Sequence, residues 1–396
     1  MPSTKGHAIY HVLDIRTDIR PTLAEIDLQA LRQNARLVAE RVAPAKLLAV
    51  VKADAYGHGA MACARALEPV VWGFAVSLVE EGVELRRGGI DKPIVVLGGV
   101  YGRAHQDVVA YGLTPVVSEQ DDLARFARAA DDLNFGRVGV HLNVDTGMSR
   151  LGARLERLPA LLEAVRAIPG VEVTGLQSHL ADADGEGDEA TRAQLDRFES
   201  ARQLVVAAGF HPTLLHIANT AGAVRFPEAR FDLVRPGLAL FGGVPSPRIE
   251  LPGLRPVMRL VSRIIALRDV PAGTRVSYGG AWRAPDGRTS RIATIPIGYA
   301  DGYTRRFSNR ADVLVAGRRC KVAGNVTMDM AMVDVTEANG QVKLGDEVVL
   351  LGAQGDARIS VEELADWSGT ISYEVYCGIS KRVPRVYING DRGATS

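Results

Sequence analysis

Residues 47–52 read LLAVVK, a short apolar run followed by a lysine. Seven further short apolar runs follow it along the chain. These are GFAVS (73–77), IVVLG (94–98), TPVVS (114–118), VGVHLNV (138–144), VTGLQSH (173–179), LLHIAN (214–219) and LVRPG (233–237). Stretches with helical spacing lie between them, such as EQDDLARFARAA (119–130) and RLERLPALLEAVRAI (154–168). Eight alternating β and α units predict a (β/α)8 barrel of the TIM type, with a doubly wound open sheet as the alternative.

The chain before the first run predicts a helix that begins after Asp27, which is a good N-cap residue. Its apolar face is formed by Leu31, Ala35, Val38 and Val42. After the last run, residues 245–256 are rich in Pro, Gly and Ser, which indicates a linker. We therefore expect an N-terminal extension (1–20), a barrel domain (21–250) and a second domain (251–396).

The second domain should be mainly β, because its apolar runs are closed by turn residues such as PAG, DGR, AGR and LGD. The runs are MRLVSRIIALRDV (258–270), SRIATIPIG (290–298), ADVLVAG (311–317), MAMVDV (330–335) and DEVVLLG (346–352). One helix is expected in this part, from SVEELADWSG (360–369).

Composition narrows the class of function. Lys+Arg 47 against Asp+Glu 46 leaves a formal net charge of +1, so we expect neither nucleic acid nor a membrane surface as partner, but a small-molecule substrate. Cys63, Cys320 and Cys377 lie far apart without a CxxC or Cys/His cluster, which predicts no disulfide framework and no metal site. Because no signal-like or membrane-spanning segment is found, we expect the cytoplasm.

Polar residues collect where the barrel strands end, which is where such barrels carry their active sites. They are Lys52, Asn143, Asp145, His179, Asn219, Thr220 and Arg235. Lys52 is the most informative, because a desolvated amine has a lowered pKa and serves as nucleophile or base. Considered alone, a lysine at this place is more often an ordinary strand-end lysine that reaches solvent.

Eight motifs occur in the order and over nearly the whole length seen in one enzyme family. They are VVKADAYGHG (50–59), VDTGMSRLG (144–152), HIANTAG (216–222), RPGLALFG (235–242), VSYGG (276–280), IGYADGY (297–303), TMDM (327–330) and YEVYCGISKRVPR (373–385). Together they resemble the alanine racemases, enzymes of fold type III that depend on pyridoxal 5'-phosphate (PLP). The resemblance implies the interconversion of L- and D-alanine, which supplies D-alanine for peptidoglycan.

The resemblance implies a role for each matching residue. Lys52 matches the lysine that binds PLP covalently and acts as base on one face of the substrate Cα, and Tyr278 matches the base on the other face. An ordinary tyrosine has a pKa of about 10 and is a poor base at neutral pH. His179 matches the residue that hydrogen-bonds this tyrosine. Arg235 matches the arginine that contacts this histidine and the pyridine nitrogen of PLP, which it keeps unprotonated.

The remaining matches describe binding. Tyr56, Asn219, Thr220 and the main chain at Gly237 and Leu238 match the phosphate contacts, although an N-cap and a tight turn would explain the last four. Arg150 and the main chain at Met328 match the contacts to the substrate carboxylate. The surroundings and entrance of the site are matched by Tyr299, Asp301, Arg305 and Asp329.

Two positions depart from the common family pattern. Asn143 stands where many members have a carboxylated lysine that orients the arginine matching Arg150, so we expect no such modification and a bound anion in its place. Lys381 stands where many have a tyrosine that touches the phosphate and narrows the entrance. A lysine can still pair with phosphate, but the wider entrance suggests a less strict substrate range.

In this family each active site is completed by the neighbouring subunit, so the resemblance implies a homodimer with shared sites. Three alternatives stay open: a broad-specificity or serine racemase, a related PLP decarboxylase acting on a basic amino acid, and a non-enzymatic PLP carrier. The decarboxylase would not need Tyr278, and a carrier usually consists of the barrel alone.

Overall fold

Strand β1 (Leu23–Asp27) runs directly into helix α1 (Leu28–Val42) in the computed structural model, which describes residues 19–338 and 342–390. The side chain of Asp27 accepts hydrogen bonds from the backbone N–H groups of Gln29 and Ala30, so it satisfies two donors at the start of the helix. The expected face of α1 is buried, at Leu31, Ala35, Val38 and Val42. The predicted helix and its cap are both confirmed.

Eight parallel strands follow and form a nearly closed barrel. They are β2 (Lys46–Val50), β3 (Gly73–Val76), β4 (Ile94–Val96), β5 (Thr114–Val117), β6 (Val138–Asn143), β7 (Val171–Gln177), β8 (Leu214–His216) and β9 (Leu233–Val234). Each overlaps one of the eight predicted runs. Strand β9 pairs with β2, and a bridge between Asn219 and Arg235 spans the remaining seam beside β8. An open sheet has no such return pairing, so the barrel prediction is confirmed.

Helical segments connect successive strands. They are α2 (Lys52–Gly57), α3 (Ala60–Leu67), α4 (Val79–Arg87), α5 (His105–Ala110), α6 (Gln120–Asp132), α7 (Leu158–Ala167), α8 (Glu189–Ala207) and α9 (Thr220–Arg225). Helix α6 buries Leu123, Phe126 and Ala130, which lie on one face because they are three or four residues apart. The predicted helices within 119–130 and 154–168 are confirmed by α6 and α7.

The C-terminal part is mainly β, as predicted. Its strands are β10 (Met258–Arg263), β11 (Ala266–Val270), β12 (Arg275–Val276), β13 (Trp282–Arg283), β14 (Ser290–Ile295), β15 (Asp312–Val315), β16 (Arg318–Lys321), β17 (Ala331–Asp334), β18 (Glu347–Gln354), β19 (Ala357–Ile359) and β20 (Arg385–Ile388). The largest sheet of this part has the order β16-β15-β18-β10-β1-β20, with β19 paired to β18. Antiparallel pairing of β1 with β10 brings the start of the described chain into this sheet.

Among the described residues of this part, two α-helices occur, α10 (Val361–Ser368) and α11 (Ser372–Gly378). The first is the predicted one, and Ser360 and Glu363 form a capping box at its start. The expectation of a single helix is wrong. Helix α11 buries only Ser372 and Tyr376, so its seven residues carry too little apolar periodicity to be recognised.

Within the described residues the chain divides into two compact units. The barrel unit contains residues 27–257, 371–377 and 387–390, and the β-rich unit contains residues 19–26, 258–338, 342–370 and 378–386. Among these residues, no helix combines the length and the hydrophobicity that crossing a membrane requires.

Candidate active site

Lys52 begins a strained turn at the end of β2. Residues Ala53 to Tyr56 all have left-handed backbone angles, with φ between 52° and 54°. Residues other than glycine lose roughly 1–2 kcal/mol each in this conformation. Such backbone persists where the surrounding structure enforces it, and it is concentrated at functional sites.

Two carboxylates hold this turn in place. Glu81 Oε1 accepts a hydrogen bond of 2.6 Å from the Ala53 N–H, and Asp54 Oδ1 accepts one of 2.6 Å from the Ala60 N–H. The second oxygen of Glu81 accepts from the N–H groups of Ser77 and Leu78 at 2.8 and 3.0 Å. Glu81 therefore ties the residue after Lys52 to the end of β3 and the start of α4.

The ammonium of Lys52 is destabilised. Burial lowers the pKa of Lys52 from its usual value, the positive charge of Arg150 lowers it further, and the negative charge of Glu81 partly opposes this. The neutral amine, which is the form that attacks a carbonyl or removes a proton, is therefore easier to reach than in an exposed lysine. The interpretation of Lys52 as an ordinary solvent-exposed lysine does not fit this environment.

Arg235 is buried and organises the next side chains. Its Nη2 lies 3.0 Å from His179 Nδ1 and 2.7 and 3.1 Å from the carbonyls of Ser178 and Ile217, three acceptors that share its two hydrogens, and its Nη1 donates to His216 Nδ1 at 2.8 Å. Burial lowers the pKa of Arg235 to about 9, which leaves it charged at neutral pH.

The bond from Arg235 fixes the protonation of His179. Because a guanidinium can only donate, Nδ1 of His179 is the acceptor and the ring proton resides on Nε2. Burial, and then the charge of Arg235, lower the pKa of His179 to about 3, so the ring is neutral across the physiological range. His179 can therefore donate one hydrogen bond from Nε2 to an oxygen.

Two hydroxyl groups, those of Tyr56 and Thr220, lie close to Gly237. The side chain of Asn219 caps α9 by accepting from the Gly222 N–H at 2.9 Å, so the N-cap interpretation is correct for this residue. Thr220 Oγ1 accepts from the Gly237 N–H at 3.2 Å, and Leu238 begins the short 3-10 turn that follows. A Cβ on Gly237 would lie 2.4 Å from the hydroxyl oxygen of Tyr56, so only glycine allows this close approach. Burial raises the pKa of Tyr56, which keeps its hydroxyl protonated as a donor.

A pocket in the barrel unit joins several predicted residues. Asn143, Met148, Arg150, Gln177, His179 and Arg235 are among its lining residues. Asp145 Oδ1 accepts from the N–H groups of Gly147 and Ser149, each at 3.0 Å, and thereby shapes the loop before Arg150. Asn143 uses its amide oxygen to accept from Gln177 Nε2 at 3.0 Å. The structure thus gathers five residues predicted from sequence around one cavity: Asn143, Asp145, Arg150, His179 and Arg235.

The other predicted residues belong to the β-rich unit. Tyr278 and Met328 are exposed, at 71% and 53%, and Tyr299 is also exposed. Tyr278 follows Ser277, whose φ of 69° is left-handed and whose hydroxyl donates to the Asn325 carbonyl. The main chain at Met328 accepts from the Ala300 N–H at 3.1 Å, which fixes it beside the Tyr299 turn.

Asp301 differs from its neighbours because its carboxylate is buried. It accepts from Arg20 Nη1 at 2.8 Å and pairs with Arg382 Nε at 3.2 Å, and Arg382 also donates to Asp329. Arg305 lies on a short 3-10 turn nearby in sequence, and Lys381 is exposed. Asp301 therefore anchors the loops that carry Tyr299 and Lys381.

Sequence reasoning missed Glu81, His141, His216 and Tyr373. The ring of Tyr373, on α11, lies 5.8 Å from that of Tyr56, and the two histidines bond each other behind Arg235. The one available signal was the position of Glu81 at the start of a helix, where a glutamate often accepts from backbone N–H groups.

Comparison with known proteins gives a consistent result. The family models described as alanine racemase, N-terminal domain, and alanine racemase, C-terminal domain, match residues 26–245 and 257–387. The chain is 45% identical to the alanine racemase of Geobacter sulfurreducens over 379 residues, which cover 94% of this chain and 98% of the relative. It is also 45% identical to that of Sorangium cellulosum over 380 residues, with 93% and 99% covered.

Solved structures of alanine racemases have a similar fold to this chain. Alanine racemase from Streptomyces lavendulae superposes with a TM-score of 0.88 at 36% identity, covering 94% of this chain and 98% of that one. The alanine racemase of Bacillus anthracis with bound L-Ala-P gives a TM-score of 0.87 at 35% identity, covering 94% and 96%.

Proposed function

This chain belongs to the alanine racemase family, and on that basis we propose that Lys52 and Tyr278 invert alanine as two opposed bases with PLP as cofactor. The observation that carries the proposal is the pair of bonds by which Arg235 holds His179 and His216 at the end of the barrel that carries Lys52. The racemase activity follows from the family, and the assignment of roles to residues is our proposal.

The side chains of the barrel unit fit PLP group by group. Lys52 provides an amine of lowered pKa for the aldehyde, Arg235 a charged guanidinium for the pyridine nitrogen, and Tyr56 and Thr220 hydroxyls beside Gly237 for the phosphate. Bound PLP supplies an aldehyde that binds the substrate amine and a π system that draws electrons from the Cα–H bond. Because Arg235 stays charged at neutral pH, it would leave the pyridine nitrogen of bound PLP unprotonated, which would limit side reactions such as transamination.

Inversion requires a base on each face of Cα, since a proton leaves from one face and another returns to the opposite one. We assign one face to Lys52, which stands at the start of the turn that Glu81 secures through the Ala53 N–H. We assign the other face to Tyr278. The neutral His179, with its proton on Nε2, can donate to the phenolate oxygen and thereby make that tyrosine a usable base.

Arg150 and the main chain at Met328 are assigned to the substrate carboxylate. Arg150 lines the same pocket as His179 and Arg235, and a guanidinium suits a carboxylate because it donates two parallel hydrogen bonds. Tyr299, Asp301 and Arg305 are assigned to the entrance, where Asp301 acts as the buried anchor.

We further propose a homodimer with shared sites, in which Tyr278 of one chain serves Lys52 of its partner. The 71% exposure of Tyr278 supports this, because a catalytic phenol needs a covered environment that its own β-rich unit does not provide. The D-alanine produced would serve peptidoglycan synthesis.

Chiral analysis of the purified protein incubated with PLP and either enantiomer of alanine tests the reaction. We expect both enantiomers to reach the same racemic mixture without CO2 release. Parallel rates with serine, lysine and arginine test whether Lys381 and Asn143 widen the substrate range. If alanine is inert and CO2 is released from a basic amino acid, the proposal is wrong and the chain is the related decarboxylase instead.

A further inference from the structure

Three buried side chains form a continuous hydrogen-bonded line in the barrel interior. Arg235 Nη1 lies 2.8 Å from His216 Nδ1, and His216 Nε2 lies 2.8 Å from His141 Nδ1. All three residues are at most 3% exposed. His216 ends β8 and His141 lies in β6, so the line crosses from one strand to another.

Only one arrangement of protons satisfies both bonds. Arg235 donates, so Nδ1 of His216 must be unprotonated and its ring proton must be on Nε2. That proton is donated to His141 Nδ1, which must also be unprotonated, so the proton of His141 is on Nε2. The opposite tautomer of His216 would bring two N–H groups together at 2.8 Å.

Both rings are neutral at physiological pH, which this arrangement requires. Burial and the charge of Arg235 lower the pKa of His141 to about 4 and lower that of His216 well below its ordinary value. A neutral imidazole has one donor and one acceptor, so each ring has a defined direction.

The pairing of β6 with β7 is irregular beside the His141 ring. Strands β6 and β7 change register between Val140 and His141, which pairs His141 with Gly175. A Cβ on Gly175 would lie 2.3 Å from Cδ2 of His141, so any larger residue would displace the ring. A register shift and a glycine at the same position indicate that the location of this imidazole is tightly specified.

We infer that His141 is a positioning residue: by accepting the Nε2 proton of His216, its Nδ1 stabilises the tautomer in which Nδ1 of His216 accepts from Arg235 and orients it. Loss of that acceptor lets His216 turn its N–H toward the guanidinium, which weakens the hold on Arg235 and on its other partner, His179. The inference rests on the proposed function for the claim that the orientation of Arg235 matters to the reaction.

The tautomer can be measured on the intact wild-type chain by NMR after labelling its histidines with nitrogen-15, using a His216→Gln variant for assignment. We expect His216 with an unprotonated Nδ1 and a protonated Nε2, with or without PLP. A protonated Nδ1 on His216 overturns the inference whether or not the chain racemises alanine, and this result needs no active variant.

Two substitutions then separate hydrogen bonding from packing. His141→Leu keeps volume but removes the acceptor, and we expect His216 to populate both tautomers while kcat falls by about 10- to 100-fold, with little change in KM for alanine. His141→Asn, whose Oδ1 can accept in place of Nδ1, should retain a single tautomer and most of the rate.

A matched control is His105→Leu, which replaces another buried histidine, one that contacts Asp122 on the outer layer of the barrel. It should leave kcat and the His216 tautomer unchanged. Equal losses in His141→Leu and His141→Asn would contradict the inference, and so would a wild-type rate in His141→Leu. If the wild-type chain fails to racemise alanine, the proposed function fails while the tautomer result is judged separately.

Discussion

At Lys52, burial and neighbouring charges of both signs act on one amine. Burial has the largest effect on its pKa, Arg150 lowers the pKa further, and Glu81 raises it. The motif around Lys52 singled out this residue, but the sequence could not reveal that Glu81 binds the backbone next to it. Its carboxylate binds N–H groups that follow two different strands, and their proximity depends on the completed barrel.

The two charges should move the pKa of Lys52 in opposite directions. Arg150→Gln removes a positive neighbour and should raise the pKa, whereas Glu81→Gln removes a negative neighbour and should lower it. The pKa can be followed by reductive methylation with carbon-13 formaldehyde and NMR, on chain freed of PLP. Shifts of the same sign in both variants would contradict the assigned electrostatics.

His141 and His216 were also missed because their contacts depend on the completed barrel. Each lies within a predicted apolar run, where a buried histidine gives no signal of its own. Their partners are brought together from β6, β8 and the residue after β9, and only the register of the barrel defines these contacts.

At the level of elements, the left-handed turn after Lys52 stores conformational energy that glycine would release. Ala53→Gly should stabilise the fold by up to about 1 kcal/mol, because glycine adopts positive φ without a steric penalty. Ala124→Gly, in the right-handed helix α6, is the matched control and should destabilise by about 1 kcal/mol. Urea unfolding measures both, and destabilisation by Ala53→Gly would show that the turn is not strained.

The approach of Gly237 to Tyr56 should matter for PLP affinity. Gly237→Ala places a methyl group 2.4 Å from the Tyr56 hydroxyl oxygen, so the ring must move. We expect a rise of about tenfold or more in the Kd for PLP, measured by absorbance titration. Gly187→Ala, where an added Cβ meets nothing within 4 Å, should bind PLP as the wild type does. An equal Kd for PLP in the two variants would show that Tyr56 is not part of the phosphate site.

The elements themselves were largely predictable. All eight barrel strands lie on the predicted apolar runs, because the strands of a parallel barrel are covered on both faces. Helix α11 could not be predicted, because its seven residues do not encode the long-range contacts that place it beside the barrel residues. Strand β1 was missed because its pairing partner, β10, is more than 200 residues away.

At the level of the whole molecule, shared sites predict recovery of activity in mixed dimers. Lys52→Ala and Tyr278→Phe chains should each be inactive or nearly so. Co-expressed, they form heterodimers in which one site has both bases intact. With half of all dimers mixed and one of two sites active in each, about a quarter of the wild-type activity should return.

The control for this experiment is Lys52→Ala co-expressed with the double variant Lys52→Ala/Tyr278→Phe, which has no site with both bases in any dimer. Activity should stay at the level of the single variant. If the first mixture recovers nothing although heterodimers are isolated, both bases belong to the same chain and the shared-site proposal is wrong.

The central claim is that Lys52 and Tyr278 act on opposite faces of Cα, and α-proton exchange of L- and D-alanine in D2O tests it most directly. Wild type should exchange and invert both enantiomers, and Lys52→Ala neither. Tyr278→Phe should still exchange the enantiomer whose α-proton faces Lys52 while losing exchange of the other. If Tyr278→Phe exchanges and inverts both enantiomers at the wild-type rate, Tyr278 is not the second base.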